Sequence, residues 1–275
     1  MKRIEVLISL ILVLVAGLTA AGYVSATSSA GFDERNGEVF DDWGICRTRA
    51  FGDDGFYQLT KTGFRPVIAF ESLGEHAALA YSLGQQVADK YPDQIQRAEA
   101  VFHFVRDRVN YTPDIDQFKQ DEFAQNADEL AVAINKSGVG YGDCEDSAVL
   151  LAVMFKGAGY RSAIVVGKEH TATLVYLPDY NKATAIFTLK GEPGWVWAEA
   201  TGKNNPLGWV SKEFINVQLG AYEISEEAIE PLKPATAPST AVAGNGKGTS
   251  STPFPFISVI GLLWLISLFR RRRAR

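Results

Sequence analysis

Few residues in this chain can do covalent chemistry: two cysteines, Cys46 and Cys144, and three histidines, His76, His103 and His170. Cys144 stands out by its setting. In "YGDCEDSAVLLAVMF", Tyr141 to Phe155, it lies between Asp143 and the pair Glu145-Asp146, at the head of an apolar run. If Asp143 is the N-cap, the acids occupy the first turn, where exposed amides and the positive helix end stabilise them. Asp146 can then return to Asp143 in a capping-box-like pair. The same helix end favours a thiolate, but three flanking carboxylates repel one. An imidazole must therefore supply positive charge if the sulfur is to act as a nucleophile. His76 and His103 fall in helical patterns, whereas His170 opens a strand after Gly167-Lys168-Glu169, on the same face as Ala172, Leu174 and Tyr176. A second reading stays open, in which Cys144 is bridged to Cys46 and the motif is a staple.

The elements that must position these residues follow from periodicity. Helical patterns cover residues 74–91, 92–111 and 126–138, and Ile95, Ala98, Val101, Phe102, Val105 and Val109 share one face of the second. The run from Asp143 to Lys156 is apolar on nearly every side, as a helix within the core would be. Gly157 and Gly159 end it. Strand patterns follow at "SAIVVG", "HTATLVYL", "TAIFTL" and "GWVWAEAT", separated by turn residues. Helices first and strands afterwards predict an α+β fold with a central helix on an antiparallel sheet.

The segments "GYGDCEDSAVLLAVMFKGAGYRSAIVVG", "EHTATLVYL" and "GWVWAEATGKNNPLGW" resemble the transglutaminase-like cysteine superfamily, a branch of the papain-like fold. The helix "RAEAVFHFVRDRVNYTPD" resembles that family's lead-in segment. The resemblance runs from Arg97 to Trp209 and implies a papain/transglutaminase-like core. It also implies that Cys144 is the nucleophile, His170 the general base and acid, and Glu199 the residue that holds the imidazole. The family usually carries Asp at this third position. The resemblance imposes a condition: His170 and Glu199 meet only if the strands near 170–177 and 192–199 are antiparallel neighbours, with "TAIFTL" placed elsewhere. The activity it implies is acyl transfer through a thioester, by a peptidase or amidase acting on peptide or carboxamide bonds. A protein cross-linking transglutaminase and a non-catalytic surface binding module are the alternatives. No cofactor is implied, the Cys and His residues lack metal-ligand spacing, and there is no phosphate-binding glycine loop.

Both ends differ from the body. Lys2 and Arg3, the apolar run from Val6 to Leu18 and the small residues through Ala26 read as a signal peptide over 1–26. Residues 27–70 form an acidic N-terminal region and 71–230 the catalytic-type domain. The Pro-, Ser- and Gly-rich segment 231–253 reads as a disordered linker. Residues 254–275 combine an uncharged, largely apolar run of 16 residues, Phe254 to Phe269, with five arginines. This tail reads as a transmembrane anchor, or as a segment similar to archaeal surface-protein sorting signals, which a sorting protease would remove. The expected location is the outer side of the cell membrane, anchored through the C-terminus. The ends hold seven of the 27 basic residues and one of the 32 acidic ones, leaving 20 basic and 31 acidic residues between them, a net −11. So anionic a body excludes nucleic acid as the partner and leaves a protein or peptide substrate. Trp195, Trp197 and Trp209 read as core or sheet-face aromatics, one of which could border the acyl site, and Asn110 and Asn135 open glycosylation acceptor patterns.

Overall fold

A computed structural model describes residues 31–61, 63–73 and 79–225, and the backbone strand 240–245. The leader, the C-terminal tail and His76 lie outside these residues. Among the described residues, no helix is long and apolar enough to cross a membrane.

The acidic N-terminal region is an ordered sheet. Its strands β1 (Phe32–Arg35), β2 (Glu38–Asp41), β3 (Cys46–Gly52), β4 (Gly55–Leu59) and β5 (Phe64–Arg65) neighbour one another in sequence order. Phe56, Tyr57 and Phe64 are buried in the same core as Leu150 and Leu151, so this region is continuous with the following domain. The strands escape periodicity because they are two to seven residues long and interrupted by glycine and aspartate. Arg47 fastens the sheet in place. Fully buried, it donates to Asp41 (2.5 Å), Glu71 (3.0 Å), Glu129 (3.0 Å) and the Ala124 carbonyl (2.8 Å).

Six helices follow: α1 (Val67–Phe70), α2 (Leu79–Lys90), α3 (Gln94–Arg108), α4 (Asp114–Gln117), α5 (Ala127–Ser137) and α6 (Cys144–Gly157). Ala98, Val101, Phe102 and Val105 of α3 are all buried, along the stripe that periodicity marks. A capping box between Asn126 and Glu129 starts α5, and Gly138, with φ of +80°, ends it. The central helix is α6, buried along almost its whole length. It lies so close to α2 that a Cβ on Gly84 would sit 2.1 Å from the Met154 carbonyl oxygen, and one on Gly157 2.1 Å from that of Tyr81. A short parallel ribbon, β6 (Val109–Tyr111) against β7 (Gly140–Gly142), leads directly into α6.

The strands after α6 close into a barrel of order β10-β11-β9-β8-β12-β13, with every pairing antiparallel. They are β8 (Ser162–Gly167), β9 (His170–Tyr176), β10 (Ile186–Leu189), β11 (Glu192–Ala198), β12 (Gln218–Glu223) and β13 (Thr240–Asn245). β13 falls in the segment that composition assigns to the linker. Its backbone pairs with β10 and β12, and a ladder of main-chain bonds needs no large apolar side chain. Inside the barrel, alanines at 163, 172 and 221 make room for Phe187, Trp195 and Trp197. Two buried hydroxyls tie it to the central helix: Thr173 Oγ1 donates to Ala148 O (2.8 Å) and Ser162 Oγ to Ala152 O (2.7 Å). The fold is α+β, a buried helix packed on antiparallel strands.

Candidate active site

Helix α6 begins at Cys144, whose half-buried thiol is unpaired; Cys46 is also free and is buried. No Cys46–Cys144 staple exists in this structure. Burial pushes the Cys46 thiol up, against weaker opposing bonds from Thr48, so its nucleophilic form is disfavoured.

His170 opens β9 after a two-residue turn in which Glu169 has φ of +53°. Strands β9 and β11 are antiparallel neighbours, Ala198 lying opposite Thr173 and Trp195 opposite Tyr176, while β10 lies on the far side of β11. This is the topology that the condition on His170 and Glu199 requires. It brings His170 Nε2 within 2.5 Å of Glu199 Oε2. The extra methylene of glutamate is taken up by three further bonds: Glu199 Oε1 accepts from Thr201 N (3.1 Å) and Thr201 Oγ1 (2.5 Å), and Oε2 from Trp197 Nε1 (3.4 Å).

The electrostatics of this pair follow from its burial and its partners. Burial alone would lower the His170 pKa, yet hydrogen bonds and charge from Cys144 and Glu199 outweigh it and raise it to about 10. Burial alone would raise Glu199, and the bonds from His170 and Thr201 hold it below its ordinary value instead. With Nε2 engaged by Glu199, Nδ1 is the ring nitrogen left for the sulfur. His103, by contrast, is half-exposed on α3, 3.9 Å from Asp107, away from this pair.

The acids around Cys144 do not cap α6. Asp143 makes no side-chain cap bond, and Asp146 accepts from the Gln125 amide nitrogens instead, at 2.6 Å from the backbone and 2.7 Å from the side chain. They belong to a buried carboxyl cluster that Asp114 completes from α4. Asp114 Oδ2 accepts from Phe123 N (2.6 Å), whereas Asp114 Oδ1, Asp143 Oδ1 and Glu145 Oε1 are buried without a partner. Burial, with Asp143 beside it, raises Asp114 to about 8. Burial likewise raises Asp143, Glu145 and Asp146. Protons held by these groups reduce the repulsion that the sequence alone leads one to expect. Oxygens of Asp114, Asp143 and Asp146 lie within 4.8 Å of one another, as do those of Asp114, Glu122 and Glu145. Cys/His spacing concealed this cluster, the one place among the described residues where a cation could be held. Glu145 Oε2 lies 3.3 Å from Cys144 Sγ.

The residues that sequence reasoning missed are those acting at a distance in the chain. Asp114 and Gln125 belong to this group, as does Phe214, whose ring stacks on His170 with centroids 5.4 Å apart. Thr201 carried a signal, since it lies two residues beyond Glu199. Trp195 and Trp197 are core aromatics, but Trp209 is exposed. Asn110 Oδ1 accepts from Lys203 Nζ (3.2 Å) in β6, while Asn135 is exposed on α5.

A helix starting on a thiol, packed on strands that carry an imidazole and an acid, is a papain- and transglutaminase-like core. Residues 81–213 match the family model of the transglutaminase-like superfamily. Among solved structures, the chain is similar to a candidate protease from Parabacteroides distasonis, at 14% identity and a TM-score of 0.33 over 55% of this chain and 27% of that one. It is also similar to a candidate cysteine protease from Cytophaga hutchinsonii, at 14% identity and a TM-score of 0.31 over 63% of this chain and 53% of that one. The chain thus spans about a quarter and about half of the length of these two. No curated protein matches the chain.

Proposed function

We infer that the protein is a cysteine-dependent acyl-transfer enzyme, acting as a peptidase or amidase on peptide or carboxamide bonds. The observation that carries this reading is the 2.5 Å bond between His170 Nε2 and Glu199 Oε2, at a site where bonds and charge from Cys144 and Glu199 outweigh burial and push the imidazole up to about 10. At neutral pH the imidazole is charged, so it stabilises a thiolate beside it and has a proton to give. Cys144 Sγ attacks the carbonyl carbon, and an S–C bond forms as the carbonyl becomes an oxyanion. The Cys144 backbone amide, at the helix start, is suited to receive that oxyanion. The C–N bond then breaks, the leaving amine takes its proton from His170, and a thioester remains. Water attacks next, His170 removes a proton from it, and the carboxylic product leaves the sulfur. Glu199 keeps the ring oriented throughout, as the acid does in serine triads. An amine in place of water would give cross-linking. Export through the N-terminal leader and retention at the outer membrane face through the tail complete the proposal, and mass spectrometry of the native C-terminus would test the tether.

The test uses selective alkylation. Treated with iodoacetamide at pH 7, the folded protein should label at Cys144 at least tenfold faster than at Cys46, and a Cys144→Ala control should lose the label. Equal rates at the two cysteines, or no label at Cys144, would overturn the enzyme reading and favour a binding module.

A further inference from the structure

The imidazole of His170 has a face as well as two nitrogens, and that face is covered. Phe214, in the 3₁₀ turn Lys212–Phe214, stacks on it with ring centroids 5.4 Å apart and planes 24° apart. The same ring stacks on Trp197 at 5.3 Å and 16°, and Trp197 Nε1 donates to the Glu199 oxygen that holds His170. Phe214 thus touches the histidine directly and, through Trp197, the carboxylate's support. Its ring is buried, with 7% of its surface exposed. The hairpin that presents His170 is shaped around it: Gly167 lies opposite His170 in the β8–β9 ladder, and a Cβ there would come within 2.7 Å of Phe214 Cε1. Phe214 also lies one residue past the segment that matches the family model, in a part of the chain that the match does not cover.

The geometry points to Phe214 as a positioning residue that clamps the His170 ring in the plane joining Cys144 to Glu199. This inference rests on the proposed roles of those three residues. The physical argument concerns rotation. Hydrogen bonds at the ring nitrogens fix the direction in which the ring points, and the 2.5 Å bond to Glu199 tolerates little tilt. A flat, polarisable face against the imidazolium opposes tilt and is itself favoured by the ring quadrupole. It also keeps water from one side of the His170–Glu199 pair, where a low dielectric strengthens the bond. Gly167 secures the clamp from behind by leaving the ring its space.

The test reads the ring nitrogen's own proton. In the folded wild type, the His170 N–H donated to Glu199 should give a slowly exchanging, far-downfield proton resonance. Phe214→Leu keeps apolar bulk but loses the flat face; the resonance should broaden or vanish, and alkylation at Cys144 should slow roughly three- to tenfold. Phe214→Trp should restore both. Gly167→Ala keeps the phenyl ring but displaces it, because the new methyl group would meet Phe214 Cε1 at 2.7 Å, and it should weaken the resonance as well. If Phe214→Leu and Gly167→Ala fold with lowered thermal midpoints while the resonance and alkylation rate are unchanged, Phe214 is ordinary packing and the inference falls. The resonance reports the clamp whether or not Cys144 reacts. Loss of Cys144 selectivity in the wild type would therefore count against the proposed function alone.

Discussion

The proton between His170 and Glu199 sets what the site can do, and Glu199→Gln isolates it. The amide keeps the shape of the side chain and an oxygen acceptor, but it carries no charge to offset that of an imidazolium. His170 then loses one of the two partners that raise its pKa to about 10, while the burial that depresses it remains. Less imidazolium at neutral pH means less positive charge beside the Cys144 sulfur and a poorer acid for the leaving amine. Alkylation and turnover at pH 7 should fall by about 10²–10⁴. The alkaline limb of kcat/KM should sit near pH 10 in the wild type and move toward about 6.5 in the variant. A pH–rate profile unchanged by Glu199→Gln would show that the carboxylate has no part in the chemistry. Glu199→Asp should cost less, roughly tenfold, because the shorter acid keeps its charge but must reach His170 without the seat that Thr201 and Trp197 give the longer one.

Between elements, α2 packs backbone against backbone on α6, the helix that carries Cys144. A methyl group on Gly84 would meet the Met154 carbonyl oxygen at 2.1 Å, a backbone atom that cannot turn aside. Gly84→Ala should therefore separate the helices and cost about 3 kcal/mol by urea denaturation; a cost under about 0.5 kcal/mol would mean that the helices can part freely. Strong patterns made α6 and the strands near 162–167, 170–177 and 194–201 legible in the sequence, since each has a continuous apolar run or one buried face. The pairing of β9 with β11 followed from the chemistry required of His170 and Glu199, not from local propensity. What stayed hidden was carried by contacts distant in sequence. The sheet over 32–65 is built from short strands whose burial depends on α6, and β13 closes the barrel through backbone alone. Asp114 reaches the acids of α6 from a four-residue helix, so nothing local marks it. Asp143 and Asp146 have the right types for helix caps, but burial beside Asp114 overrides that use.

For the molecule as a whole, buried charge governs both assembly and response to pH. Arg47→Met would remove the one cation that Asp41, Glu71 and Glu129 surround. Stranding buried carboxylates costs about 3–5 kcal/mol, so the N-terminal sheet should loosen before the rest and lose amide protection first in hydrogen exchange. Several groups then make stability depend on pH in one direction, since burial also raises Glu71, Asp143, Glu145 and Asp146; Asp114 and His170 set two definite windows. Asp114, raised to about 8, binds a proton in the folded state that the unfolded chain has released above about 3.8. His170, raised to about 10, does the same above about 6.5. Where the native state holds more protons, stability falls as pH rises, so Asp114 acts between about pH 4 and 8 and His170 between about 6.5 and 10. Below about pH 4.5 the sign reverses, because Asp41, Glu99 and Glu199 have lowered values and lose their stabilising charge. Thermal midpoints should therefore be highest near pH 5 and decline toward pH 10. Asp114→Asn keeps an oxygen for the Phe123 amide but cannot ionise, so it should flatten the decline between about pH 5 and 8 and leave unchanged the part above it, which His170 sets. Midpoints that rise from pH 5 to 8 in the wild type, or a slope indifferent to Asp114→Asn, would mean that the carboxyls beneath Cys144 are neutralised by something other than protons.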